Sequence, residues 1–304
     1  MRLRTKLACI SISFCGLAPA FAQDVAVITP YLAQPGTQFY VDSFRERATE
    51  LGWEVDVVHT DGDFAAVIDH IEDVVAKGVD AIVINVDPSQ FGPGLSAAAN
   101  AGVPVGGMDA GSDPLLATNV TSNGYARAAV TAAYIVNRIG GAGQVVMFTY
   151  DAFPPVQVRG VIADAIFDNH PDIAVIKRIT PDISDGAVAD SRAQMEAVLA
   201  DNPEPGSISA IWAAWDQPAL GALQASEAAG RSDEGIVITG IDANPQALEA
   251  IGSGFSVEAT VAQDFKAIGH KTAETVAQLL AGEMPKQRVI YVPANLVTVH
   301  NTGR

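Results

Sequence analysis

The stretch WAAWDQPALGAL, residues 212–223, decides the fold. Its apolar run ends in an aromatic and an acid and passes at once into a helix-forming segment, so a buried strand carries Trp215 and Asp216 to its C-terminal tip. GIVITGIDANP (235–245) brings Asp242 to a second such tip, and AGVPVGGMDAG (101–111) brings Asp109 to a third. In open α/β sheets, ligands bind outside these carboxyl ends. Carboxylates beside an aromatic plate suit a polyhydroxylated ligand: its hydroxyls need acceptors and its C–H faces need a flat apolar surface.

Working outward, strand-like runs fall at 25–29, 54–58, 81–86, 103–108, 144–149, 173–177, 209–214, 236–241 and 257–262. Most are almost continuously apolar, as expected of parallel strands covered on both faces. Helical patterns separate them. Tyr40, Phe44, Ala48 and Leu51 share one helix face, as do Phe265, Ile268, Thr272, Val276 and Leu279. Gly52 and Gly78 read as helix stops. Regular β-α alternation implies parallel sheets with right-handed crossovers. About ten strands exceed a usual layer of roughly five or six. The expected class is therefore α/β with two doubly wound parallel-sheet lobes; a single barrel of eight β-α units is the weaker alternative. The split falls near Thr121-Ser122-Asn123-Gly124, a polar turn between the apolar piece Leu116–Val120 and a helix starting near Tyr125. The segment 264–281 is too long to be a tail.

Residues 1–22 read as a secretory signal peptide: Arg2, Arg4 and Lys6 precede a short apolar run that ends in Ala20-Phe21-Ala22. The run is shorter than the ~20 residues of a spanning helix. Cys9 and Cys15 both lie in it, so the chain from Gln23 has no disulfide, thiol nucleophile or cysteine metal site. Beyond the signal, 15 basic residues face 35 acidic ones, a formal charge of −20. Such a chain repels nucleic acid and anionic lipid. The five histidines show no HxxxH or HExxH spacing, and no GxSxG elbow or P-loop occurs. No metal, no cofactor and no enzymatic activity are expected. Asn119-Val120-Thr121 matches a glycosylation sequon of the kind common by chance.

The ordered set AQPGTQFY (33–40), ERATELGW (46–53), VVAKGVDAIVINVDP (74–88), AGVPVGGMDA (101–110), VRGVIADAI (158–166), IWAAWDQPALGAL (211–223), GIDANP (240–245) and ATVAQDFKAIG (259–269) resembles the ribose-binding, type I class of periplasmic solute-binding proteins that feed ABC sugar importers. The likeness covers about 24–300. It implies two α/β lobes joined by three crossings: 24–122 plus 264–293, and 123–263 plus 294–304. It implies a sugar held between them, a monomer in the periplasm, and an inner-membrane permease as partner. It also implies ligand contacts from the first loop, Tyr31 through Phe39, with Tyr31, Gln34, Gln38 and Phe39 as candidates. Asp109 stands for the acid after the fourth strand, Arg159 for the arginine of the Arg-Gly pair, Asp242 for the acid of the Gly-x-Asp turn, and Gln263 for the glutamine at the second hinge. Trp215 replaces a polar residue, Ala110 replaces the arginine of ribose binders, and Gly36-Thr37 follow Pro35 where ribose binders carry paired aromatics. These departures point away from ribose, toward another small neutral sugar or an acyclic polyol.

Each candidate also has a local reading. Asp109 could cap a turn, Asp242 or Asp216 could cap the helix that follows it, Arg159 could lie on the surface, and Gln263 could serve backbone hydrogen bonds only. Trp212, in mid-strand, reads as core and Trp215, at the strand end, as a ligand plate. Asp151 and Phe153 follow the strand QVVMFTY at its tip and are further candidates. Other roles for the shell are presenting a ligand to a chemoreceptor or sensor kinase or, more remotely, hydrolysing a glycoside with paired carboxylates. The signal-peptide reading predicts that the intact mass of the exported protein matches a chain starting at Gln23; an exported species retaining Cys9 would contradict it.

Overall fold

Parallel pairing of buried apolar strands builds two sheets in the computed structural model, which describes residues 22–254 and 256–302. The first contains β1 (Asp24–Thr29), β2 (Glu54–His59), β3 (Ala81–Ile84), β4 (Val105–Met108), β5 (Thr118–Ser122) and, from late in the chain, β11 (Val289–Val292), in the order β11-β5-β4-β3-β1-β2. The second contains β6 (Gly143–Phe148), β7 (Ile173–Ile179), β8 (Ala210–Ala213), β9 (Val237–Thr239), β10 (Val257–Gln263) and β12 (Ala294–Thr298), in the order β12-β10-β9-β8-β6-β7. All pairings are parallel except β10 with β12. Helices α1 (Pro35–Glu50), α2 (Ala66–Lys77) and α3 (Gly92–Ala101) belong to the first lobe; α4 (Gly124–Arg138), α5 (Pro154–Asp168), α6 (Val188–Asp201), α7 (Asp216–Ala228) and α8 (Pro245–Gly252) belong to the second; and α9 (Phe265–Leu280) returns to the first. The two-lobed α/β architecture is the one expected, and the single barrel is excluded. The signal segment lies outside the described residues except at its last position.

Three strands were not among the strand-like runs. In β5, TNVTS, polar residues fill a fully buried strand. Hydrophobic periodicity reads such a segment as a turn, yet Asn119 bonds the carbonyl of Ala110 at 2.7 Å and Ser122 bonds the side chain of Gln263 at 2.6 Å. Asn119 is itself buried, which closes its sequon to modification in the folded chain. The short strands β11 and β12 flank Pro293 and only partly bury their side chains. The chain passes between the sheets at Ser122–Asn123, at Gln263–Asp264 and at Pro293. All three passages lie on the side of β5, β11, β10 and β12, so β2 and β7 are the edges farthest from the hinge.

Of the evenly spaced residues, Tyr40, Phe44 and Ala48 of α1 and Ile268, Thr272 and Val276 of α9 are buried, while Leu51, Phe265 and Leu279 are half-buried. The two helices touch closely at Gly269: a Cβ there would lie 2.6 Å from the Phe44 nitrogen and 2.8 Å from the Tyr40 carbonyl oxygen. Gly269→Ala should therefore destabilise the protein by about 1–3 kcal/mol despite the better helix propensity of alanine. A melting temperature at or above that of the parent would show that the helices can move apart freely.

Candidate functional site

One cavity, with about 520 Å³ of empty space counting the part open to solvent, lies where the carboxyl ends of the two sheets meet. The first lobe supplies Tyr31 and Gln34 from the loop after β1, Thr37 and Tyr40 from the start of α1, and Asp109 from the tip of β4. The second supplies Tyr150, Phe153, Val156 and Arg159 from the β6–α5 connection and α5, Ile183 from the segment after β7, Trp215 and Gln217 at the start of α7, and Asp242 after β9. Gln263 and Phe265 close it at the hinge.

Asp109 and Asp242 both have left-handed backbones, with φ of 51° and 132°. Non-glycine residues adopt this region rarely, and where they do the surrounding structure must hold them. At Asp109 the hold comes from its own N–H, which donates to Val120 O at 2.8 Å. Asn85 reinforces it: its side chain is fully buried, donates to Met108 O at 2.7 Å and accepts from Thr29 Oγ1 at 3.1 Å. The Asp109 carboxylate accepts from Thr121 Oγ1, and its other oxygen lies 3.1 Å from the Tyr40 hydroxyl. That hydroxyl also lies 2.8 Å from Gln263 Oε1, and Gln263 Nε2 donates to Asp242 Oδ1. The Tyr40 hydroxyl thus lies between two acceptors, one of which takes its single proton, and Tyr40 and Gln263 together fill the space between the acid of one lobe and the acid of the other. The Asp109 carboxylate bonds side chains outside its own turn, and Gln263 bonds side chains rather than backbone alone. Nor does Asp242 cap α8; the side chain of Asn244 does, accepting from Ala247 N–H at 2.9 Å.

Arg159 is 2 % exposed rather than on the surface. It donates from Nη1 to Ala214 O at 2.6 Å and stands 3.8 Å from Asp242 Oδ1, while its Nε has no partner among the described residues. Behind the cavity Arg127, also 2 % exposed, donates to Ser122 O at 3.3 Å. Burial, with the like charge of Arg159, pulls its pKa down to about 10. Apolar walls complete the cavity. The Tyr31 ring packs on Phe153 at 4.7 Å between centroids, and Tyr150 meets Trp215 edge-on at 6.3 Å. Trp215 is nearly buried, and its Nε1 donates to Gln34 Oε1 at 3.2 Å. Trp212 is fully buried core and donates to Thr131 Oγ1 at 2.9 Å.

Three sequence candidates lie apart from the cavity. Gln38 turns back to bond Leu32 O at 2.8 Å, Phe39 packs on Phe265 at 5.4 Å with its outer face exposed, and Asp151 points to solvent at the β6 tip. The first two fall on the outer side of α1, one helical step away from Thr37 and Tyr40, so the rotation of the helix excludes them. Asp216, carried to its strand tip beside Trp215, turns inward: Oδ1 accepts from Thr260 Oγ1 at 2.7 Å and Oδ2 from Asn244 N–H at 2.8 Å, tying β8 to the next tip and to β10. It braces the site from behind. Several lining residues were missed in the sequence. Tyr40 looks like one more apolar position on a buried helix face, and Ile183 lies in an irregular segment without a motif. Tyr150 ends the run QVVMFTY, and that position was its only signal.

Burial pushes the carboxyls of Asp216 and Asp242 up, Asp216 to about 7 with the charge of Asp242 adding to the effect; for Asp242, Arg159 and the Gln263 amide oppose the rise. Both groups hold a proton more tightly in the folded chain than in the unfolded one. Their contribution to folding is therefore largest at low pH and is lost as pH rises from the ordinary aspartate value of 3.8 to about 7. Melting curves across that window should show the decline, and Asp216→Asn should flatten it whatever it does to overall stability. An unchanged slope in the variant would place the titration elsewhere.

The profile of the periplasmic binding protein domain matches residues 25–284, and the chain belongs to that family. Its relatives are ABC sugar- and polyol-binding proteins rather than enzymes. The ribose import binding protein of Bacillus subtilis is 28% identical over 83% of this chain and 80% of its own length. A xylitol-binding protein of Mycolicibacterium smegmatis is 29% identical over 67% of this chain and 56% of its own. Among solved structures, an ABC transporter solute-binding protein from Agrobacterium vitis with bound allitol superposes with a TM-score of 0.85 at 30% identity, over 92% of this chain and 97% of that one.

Proposed function

We propose that this protein is the periplasmic solute-binding component of an ABC importer and that it closes on a small neutral polyol, an alditol in preference to a ring sugar. The observation that carries this reading is the convergence of Asp109 and Asp242, from opposite lobes, with Arg159 on one apolar-walled cavity. Two acceptors and one forked donor suit vicinal hydroxyls. The faces of Phe153 and Trp215 suit a carbon chain. An anion would meet two lining carboxylates, Asp109 and Asp242, against one guanidinium, Arg159. The absence of an arginine at Ala110 lowers the number of donors for ring and anomeric oxygens. The allitol bound by the Agrobacterium vitis protein and the xylitol of the Mycolicibacterium smegmatis protein support the same class.

In this reading 24–122 plus 264–293 move against 123–263 plus 294–304. The exported monomer, freed of its signal, delivers the ligand to its permease. Closure follows from tighter binding by the closed form, since equal affinity for both forms shifts nothing. Gln34, Phe153, Arg159, Trp215 and Gln263 would wall or contact the ligand, and Tyr31 would cover it.

A thermal-shift screen of tetritols, pentitols and hexitols beside pentoses and hexoses tests the proposal. Ligand at 100 Kd stabilises by roughly 2.7 kcal/mol, a shift of roughly 5 °C for a chain of this size. Response only to an amino acid, a sugar acid or a sugar phosphate would refute it. With the best ligand in hand, Asp109→Ala should fold normally and bind about 5- to 150-fold more weakly, because a buried hydroxyl loses its acceptor. Unchanged affinity by calorimetry would confine Asp109 to its turn.

A further inference from the structure

Gln34 was expected to touch the ligand, but its carboxamide is engaged elsewhere. Oε1 accepts from Trp215 Nε1 at 3.2 Å, and Nε2 donates to Ile183 O at 3.0 Å. Both partners belong to the second lobe, whereas Gln34 sits in the first, just before α1. The two segments meet again where a Cβ on Gly186 would lie 3.6 Å from Ala33 O. Beside them Tyr31 crosses the cleft to Phe153.

The position of this contact matters as much as its bonds. Tyr40, Ser122 and Gln263 meet at the hinge, where opening separates groups least. Gln34 follows β1 and Ile183 follows β7, toward the edge of each sheet away from the hinge. A hinge rotation moves these groups through the longest arc. Hydrogen bonds hold only within a few tenths of an ångström of their best length, so a small opening breaks both. The carboxamide also holds the one polar atom of Trp215 and thereby fixes the plane of the indole that walls the cavity.

We propose that Gln34 is a positioning residue that latches the closed form, setting the closing equilibrium and the orientation of Trp215 without giving a hydrogen bond to the ligand. This rests on the binding role proposed above and assigns Gln34 a different part in it. A contact residue discriminates among ligands. A latch strengthens the closed form alike for all of them and acts before any is present.

That difference sets the test. Cysteine occurs only at positions 9 and 15, so Asp56→Cys on β2 and Lys177→Cys on β7, exposed positions on the two edges farthest from the hinge, take spin labels selectively once the signal is removed. Interlobe distances are measured without ligand in the labelled parent, in Gln34→Met, which keeps the length of the side chain and loses both bonds, and in Trp215→Phe, which keeps an aromatic ring and loses the indole donor. Affinities for a ladder of alditols and sugars follow. The latch predicts a smaller closed fraction in both variants, more so in Gln34→Met. It also predicts that Gln34→Met weakens every bound ligand by one common factor, about 5- to 150-fold, mainly through faster release. A closed fraction equal to the parent's in Gln34→Met overturns the proposal, as does a loss confined to some ligands. If no sugar or polyol binds the parent, the binding reading fails, and the ligand-free distances still decide whether Gln34 holds the lobes together.

Discussion

Gln263 is the group on which the remaining geometry depends. It stands at the second passage between the lobes, with its oxygen facing Ser122 and Tyr40 and its nitrogen facing Asp242. Those three neighbours come from the first passage, from the first helix and from the strand tip that carries Asp242. One carboxamide thus fixes the register of elements more than 200 residues apart in sequence, as the Tyr40–Gln263 separation of 223 shows. Its donor and acceptor ends face opposite ways, and each meets a partner of the opposite kind. A hydrocarbon of the same size would take from Ser122 Oγ its acceptor and from Asp242 its amide donor, at a cost of about 1–3 kcal/mol for each group.

The charges around the cavity are the basis of the ligand class proposed. Five carboxyl and guanidinium side chains are buried around the cavity, and among the described residues only Arg159 and Asp242 of these approach one another as an ion pair, at 3.8 Å. The others are held by hydroxyls, an amide and backbone groups. Neutral donors of this sort soften the cost of burying a charge without cancelling the charge. The raised pKa values of Asp216 and Asp242 reflect the same balance: burial outweighs the partners supplied. A hydroxyl-rich ligand adds further neutral donors where they are needed, whereas a second anion would add to the imbalance. Family membership fixes the scaffold, and these few groups at the strand tips fix its chemistry.

In the proposed binding cycle, closure and selectivity are divided between two ends of one cleft. At the hinge, bonded groups stay close through any rotation and position the carboxylates. At the far edge, Gln34 and the rings of Tyr31 and Phe153 join the lobes directly. Binding energy gained at the centre need not be spent on holding the rim, which leaves the centre free to discriminate.

The sequence alone determined the fold class, the positions of Asp109, Asp242 and Trp215 at strand tips, and the core role of Trp212, because apolar runs and helical spacing record burial residue by residue. It did not record β5, whose polar side chains are buried through bonds to residues distant in the chain. Tyr40 carried the same signal as Phe44 one turn away, and only packing turned its hydroxyl between Asp109 and Gln263. Rotation of α1 decided that Thr37 lines the cavity while Gln38 and Phe39 face outward. Asp216 and Asp242 each follow an apolar strand, yet one is sealed behind the wall and the other faces the cavity. Spacing places a residue on an element; which way its polar atoms point is settled by the partners that the second lobe brings to within hydrogen-bonding distance.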